Sequence, residues 1–320
     1  MQEMIELDAQ VPVAMGGQRV DQIAAQLFAE YSRSRLQNWL KSGALTVDER
    51  RVKPKDKLIG GEWLHLEAAL EVFSEWVAEP VDFPIHYEDD DILVINKPAG
   101  LTVHPGAGNP GGTLLNGLLH RYPDMAVVPR AGIVHRLDKD TTGLMVVAKT
   151  VEAHTELVRD LQKRDISREY EAICKGVMTG GGQVDEPIGR HPTLRTKMAV
   201  RPGGKPAVTH YRVLKRFAHH TFVRLKLESG RTHQIRVHMD HIHYPLVGDP
   251  VYGGQFSFPR NCPDELKGAL QGFTRQALHA KALGLAHPIS GEWMEWEIDL
   301  PEDMQSLLAV IARETPSTEV

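Results

Sequence analysis

Hydrophobic positions recur along the chain at two spacings, and the change of spacing divides it. Val20, Ile23, Ala24, Leu27 and Phe28 lie three and four residues apart, which is the stripe of one helix face. Leu36, Trp39 and Leu40 repeat that stripe, with Ser32 or Ser34 placed to cap a second helix and Gly43 to end it. Short strands around Leu45–Val47 and Trp63–Leu66 complete this first unit, which is assigned residues 18–70. The next stretch, 71–84, has no period; it is acidic and bounded by Pro80 and Pro84, as suits a linker. From residue 85 the pattern mixes strands and helices up to about 305, and 306–320 is read as a C-terminal tail. Ile92–Ile95 is a continuous apolar strand broken by Asn96-Lys97-Pro98. Thr113 begins a helix through TLLNGLLHRY, and Leu157, Val158 and Leu161 mark another that ends near Lys163-Arg164. Ser167–Ile173, Phe222–Leu227 and Trp293–Trp296 read as strands, so the class is α+β.

The stretch from Pro129 to Thr150, PRAGIVHRLDKDTTGLMVVAKT, holds the densest chemistry. His135-Arg136-Leu137-Asp138 sits between two apolar segments that both read as strand. Strand side chains alternate, so Arg136 and Asp138 are expected on one face, His135 and Leu137 on the other. Lys139-Asp140-Thr141-Thr142-Gly143 then reads as a turn. A carboxylate at that position is well placed to meet a ligand, although a solvated hairpin tip is the ordinary reading of such a turn taken alone.

Composition narrows the classes. The chain has 320 residues with 42% hydrophobic, enough for a large domain and a small one. Its two cysteines, Cys174 and Cys262, provide neither a disulfide framework nor a metal cage. The acidic start, MQEMIELDAQ, lacks the pattern of a signal peptide, and no apolar run reaches the length of a bilayer crossing. The expected setting is the cytoplasm, with no membrane partner. Net charge is -5, which alone speaks against nucleic acid, but the charge is segregated. Arg190 to Arg236 holds twelve Lys and Arg against the single acid Glu228, and Tyr31 to Lys57 holds eight against three. Glu71 to Asp91 carries eight acids and no Lys or Arg. Such segregation suggests a positive face for a polyanion.

Several motifs can be set aside. Leu137 interrupts a kinase-type HRD, and the downstream Asn and DFG are missing. An aspartyl-phosphate ATPase would need a nucleotide-binding partner domain, for which the length leaves no evident room. Gly106–Gly111 spells GxGxxG, but Pro105 and Pro110 break the geometry of a dinucleotide site. His238, His241 and His243 have only Asp240 nearby to complete a ligand set, so no metal is expected.

One resemblance fits along the length of the chain. HRLDKDTTGL resembles the signature of the RluA family of RNA pseudouridine synthases. The stretches NKPAGLTVHPG, REYEA, GRTHQIRVH and YPLVGDPVYGG fall in the family's order. The string from Ser32 to Leu66 resembles the S4-type RNA-binding module, with Asp48-Glu49 where Asn-Gly is usual. The resemblance implies a pseudouridine synthase domain on a mixed, mainly antiparallel sheet, preceded by the S4-type domain. It implies Asp138 as the catalytic carboxylate, Arg236 as its ion-pair partner and Tyr170 packed against the target base. Arg136 would fill the space left by the flipped nucleotide. Arg33, Arg35 and Lys41 would meet phosphates in the small domain, while Arg231 and His233 would bind RNA in the large one. No cofactor is implied, because the isomerisation neither gains nor loses electrons or groups.

PRAGIVHRLDKDTTGL and HPGAGNPGGTLLN are most similar to the type that modifies several uridines in one stem-loop of large-subunit ribosomal RNA. The expected partner is therefore ribosomal RNA or a precursor of the large subunit, met by a monomeric enzyme. Alternatives are a family member acting on another structured RNA, a non-catalytic ribosome assembly factor, and an aspartate-nucleophile glycosidase. The last would need a second flanking carboxylate, for which Asp140 is a poor candidate.

Overall fold

The computed structural model describes residues 4–28, 31, 33–69, 76–106, 109–194, 197–254, 258–259 and 261–315. The first unit is a three-stranded antiparallel sheet in the order Met4–Gln10, Trp63–Ala69, Leu45–Val47. Helices Val20–Leu27 and Arg33–Ser42 share its core, where Ile23, Leu36, Leu40, Leu45 and Leu64 are buried together. Both helical stripes therefore face inward as their spacing requires. Ser32, one of the two expected caps, lies outside the described residues. The unit begins earlier than residue 18. Met4–Gln10 pairs with Trp63–Ala69 along its whole length, and Ile5 and Val11 join the core. The alternation Ile5, Leu7, Ala9 is the strand signal that this boundary overlooks.

The linker also needs correcting. Residues 70–75 lie outside the described residues, but 76–84 is docked. Trp76 and Val81 pack on the large domain, Phe83 is buried in its core, and Glu79 accepts the Gly112 N–H at 2.9 Å. The aromatic and aliphatic residues among the acids are what hold this segment down.

The large domain is built on a nine-stranded sheet. Its order is Ile85–Glu88, Ile92–Lys97, Thr142–Ala148, Leu278–Ala286, Ser167–Lys175, His220–Leu227, Val208–Arg216, Gly182–Asp185, with Trp293–Glu297 also paired to Leu278–Ala286. Among the described residues the pairings are antiparallel except one. Thr142–Ala148 meets Leu278–Ala286 in parallel through His279 opposite Thr142 and Ala280 opposite Gly143. Gly143 permits that junction, because a Cβ there would lie 2.3 Å from the Ala280 carbonyl oxygen. Thr113 caps the helix Leu114–Arg121, as its position before the apolar run predicts.

Two expectations fail here. The residues before His135 are not a strand: Pro129–Gly132 is a tight turn in which Arg130 and Ala131 have left-handed φ of 55° and 48°. Only Ile133 bridges to a strand, at Val147. Pro129 and Gly132 punctuate the apolar alternation and stop it from pairing. The C-terminal tail is mostly helix. Glu302–Glu314 buries Met304, Leu307 and Ile311 with Leu266 and Leu270, and Asp303 pairs with Arg275 at 2.7 Å. Leucine and isoleucine at helical spacing, after Pro301, account for it.

Candidate active site

His135–Asp138 is an extended loop held by side chains instead of by strand pairing. Leu137 is buried in the main core. The Val146 N–H donates to His135 Nε2 at 3.1 Å, which fills the place of a missing ladder bond. Burial drives the His135 pKa down to about 3, so the ring is a neutral acceptor. On the far side of Asp138, the buried Lys97 donates to three carbonyl oxygens, those of Pro98, Leu101 and Lys139, at 2.7, 2.9 and 2.8 Å. Arg275 reaches the Asp140 carbonyl at 3.2 Å, and Gln276 donates to Thr141 Oγ1 at 3.0 Å. The turn Lys139-Asp140 forms as expected, with the Thr141 N–H on the Asp138 carbonyl at 3.1 Å. Leu137 thus packs into the core while Asp138 meets Arg236, although both border the same cavity and no strand is present.

The second half of the site is the helix Gln234–His241. Gln234 anchors its start by accepting from Ser229 and the Arg231 N–H and donating to Val208 and Thr209. Two residues on, Arg236 is directed at two carboxylates. Its Nη1 lies 3.0 Å from Asp138 Oδ2, while Nε and Nη2 grip Asp249 at 2.7 and 2.9 Å. Asp249 is fully buried at its side chain and also accepts the N–H groups of Val251 and Tyr252. Burial works against the charge on Arg236, but Asp249 and then Asp138 outweigh it and raise its pKa. Asp138 keeps 19% of its side chain exposed, so this ion pair is open on one side.

Tyr170 shares the cavity with Asp138 and Arg236, along with Leu227 and Leu278. The ring is 6% exposed, and burial raises the pKa of its hydroxyl. His233 has φ of 56°, its Nε2 is 3.8 Å from Asp138 Oδ1, and its Nδ1 meets the Tyr252 hydroxyl at 2.9 Å. Arg136 is exposed at the mouth, and Arg231 is half-buried there with Nε on the Pro206 carbonyl at 3.0 Å. The six residues expected in the large domain therefore line one cavity. His238 is occupied elsewhere, with one ring nitrogen on Thr209 Oγ1 and the other on the Glu186 carbonyl.

The small domain differs from expectation. Lys41 is exposed, as a phosphate contact requires. Arg33 is half exposed but is tied to the buried Asp21 at 2.9 Å. Arg35 is 4% exposed, its guanidinium 4.7 Å from the Trp39 ring centroid and 5.7 Å from that of Tyr31. Arg35 is core, not surface; Tyr31 and Trp39, four residues to either side, are the signal that predicts the stacking. Asp249, Lys97, Tyr252 and Arg168 escape sequence reasoning as parts of the site. All four lie within stretches that resemble family motifs, but no spacing says which residue they would touch.

A carboxylate held by a buried guanidinium, at the floor of an arginine-rimmed cleft, defines an enzyme that acts on a polyanion. The comparisons agree. Residues 91–241 match the family model for RNA pseudouridylate synthase, and residues 18–64 match that for the S4 domain. The chain is 60% identical over 314 residues to ribosomal large subunit pseudouridine synthase D of Pseudomonas aeruginosa, covering 98% of each chain. It is 57% identical to the protein of that name from Yersinia pestis, covering 98% of this chain and 97% of the relative. Among solved structures, human RNA pseudouridylate synthase domain containing 4 is similar at 27% identity with a TM-score of 0.57, covering 71% of this chain and 92% of that one. The chain belongs to the RNA pseudouridylate synthase family and is a pseudouridine synthase with an N-terminal S4 domain.

Proposed function

We propose that this enzyme converts uridines of large-subunit ribosomal RNA to pseudouridine, with Asp138 as the catalytic carboxylate. The observation that carries the assignment is the ion pair: Arg236 reaches Asp138 at 3.0 Å while Asp249 fixes its other two nitrogens. The ribosomal substrate rests on the two relatives named for it, each matched over nearly its whole length.

The reaction breaks the bond from uracil N1 to ribose C1′, turns the base, and joins C5 to C1′. A proton leaves C5 and one is gained at N1, so nothing else is required for balance. Asp138 serves either by attacking C1′ or by taking the proton from C2′, and Arg236 holds the carboxylate in place at 3.0 Å. The Arg236 fork, immobilised by Asp249, supplies the charge without reorganising. Tyr170 stacks on the uracil and mediates loss of the C5 proton. Arg136 occupies the space the extruded nucleotide leaves, since a base in a folded RNA must leave its stack to react. His233 and Arg231 hold the strand at the mouth. In the S4 domain, Lys41 meets phosphate, with the exposed part of Arg33 beside it. The enzyme works as a single chain in the cytoplasm, on ribosomal RNA or a subunit precursor.

Mapping pseudouridine in large-subunit ribosomal RNA, as free transcript and as particle, tests this reading. New pseudouridines confined to one stem-loop are expected with the parent and none with Asp138→Asn. Absence of modification in both substrates would overturn it.

A further inference from the structure

Arg168 is a buried cation with no carboxylate paired to it among the described residues. It stands on the strand Ser167–Lys175, two residues before Tyr170, and is 7% exposed. Among the described residues its Nε has no hydrogen-bond partner. Burial depresses its pKa, and the group that opposes this is the Tyr170 hydroxyl, not a carboxylate. Burying an unpaired guanidinium is costly, and such a cost persists where a ligand completes the pairing.

The position of Arg168 says which ligand. Two cavities meet at this side chain. One is the chamber of Asp138 and Tyr170; the other is a cleft of about 600 Å³ whose walls include Arg130 and Arg164. Arg136, Arg168, Gly230 and Arg231 line both, so they form the doorway between them. Gly230 keeps it clear: a Cβ there would lie 2.9 Å from Arg168 Nη1. A uracil that reaches Asp138 by this doorway would leave its charged backbone outside the chamber. The anion that stops at Arg168 is then a phosphodiester, whose paired oxygens fit the guanidinium fork.

We propose that Arg168 binds one of the two phosphates that bracket the target uridine, and so seats the extruded nucleotide over Asp138. This rests on the reading of the site as a pseudouridine synthase acting on RNA. It adds a binding residue that neither Asp138 nor Arg236 can replace, since both are committed to each other.

The test uses the full-length enzyme and stem-loop RNA with a methylphosphonate placed in turn 5′ and 3′ of the target. For the parent, neutralising one of these phosphates should lower the single-turnover kcat/KM roughly tenfold to a hundredfold, the range for one hydrogen-bonded charge contact. Arg168→Met should lose as much on unmodified RNA, with a salt slope smaller by about one, and lose nothing further on the sensitive methylphosphonate. Gly230→Ala, which crowds the guanidinium without removing it, should show part of the same loss. Indifference of the parent to both methylphosphonates overturns the proposal, whether or not Arg168→Met folds. So do losses that multiply, which would mean that Arg168 acts on Tyr170 or on the fold. If the parent forms no pseudouridine even on unmodified RNA, the catalytic reading fails separately, and dissociation constants for the same RNAs still decide the phosphate contact.

Discussion

The two domains both bury arginines, and they bury them to different ends. In the S4 domain, Arg35 is closed in by Trp39 and Tyr31, and Arg33 is drawn onto Asp21. In the catalytic domain, Arg236 is equally buried, but one of its nitrogens faces Asp138, which opens on a cleft. A guanidinium packed on rings or drawn onto a buried acid stabilises; one that holds a carboxylate open to a cleft prepares a site. Position in a basic stretch does not distinguish the two. Burial and partners do.

Removing each arginine in turn should separate the two roles. Arg236→Ala should lower the rate by orders of magnitude even at saturating RNA, because Asp138 loses the group that positions it. It should also cost roughly 3–5 kcal/mol of stability, because Asp249 is left buried without its cation. Arg236→Lys should recover only part, since an ammonium cannot span two carboxylates as a fork does. Single-turnover rates at saturating RNA, with calorimetry, check this; a rate restored by saturation together with a shallower salt dependence of binding would instead assign Arg236 to phosphate binding.

Acid should separate the domains as well. Burial holds His220 and His279 down to about 4 and His135 down to about 3, all in the catalytic domain. The unfolded chain binds these protons near pH 6.5 while the folded chain refuses them, so stability is present above 6.5 and is lost as pH falls toward 4. The loss should be on the order of several kcal/mol and fall on the catalytic domain. The S4 domain has one histidine, His65, partly exposed beside Asp8. Calorimetry between pH 7 and 4 should show the catalytic transition moving down first, and parallel shifts of both would contradict it.

Within the S4 domain, Arg35→Ala should cost about 2 kcal/mol through its lost stacking and leave the salt dependence of RNA binding unchanged. Lys41→Ala should do the reverse, lowering the salt slope by about one with no loss of stability. Smallest of all, Glu49→Gly should stabilise the domain by about 0.5–1 kcal/mol. Asp48 and Glu49 take positive φ of 45° and 63°, a conformation glycine adopts without strain. Urea unfolding of the variant decides its sign.

These contrasts also explain what the sequence could reveal. Helix stripes, the strand Ile92–Lys97 and the cap at Thr113 depend on neighbours in the chain, so their patterns are local and legible. Asp138, Tyr170 and Arg236 were legible through motifs rather than through periodicity. Asp249 was not, because its pairing with Arg236 is decided by how a loop folds back after the Gln234–His241 helix. The loop at His135 misleads for a related reason: its alternation is genuine, but Pro129 and the left-handed pair Arg130-Ala131 turn the chain before pairing starts. The parallel junction beside Asp138 involves residues 137 positions apart, which no local pattern encodes.

The carboxylate of Asp138 is proposed to do the chemistry and little else. Single-turnover tritium release from RNA labelled at uridine C5, run beside dissociation constants for the same RNA and calorimetry, tests it through Asp138→Asn. The amide keeps the shape and can still meet Arg236, but it is neither nucleophile nor base. No release above background is expected, with RNA affinity and unfolding temperature close to the parent's. Release within tenfold of the parent's rate would contradict it.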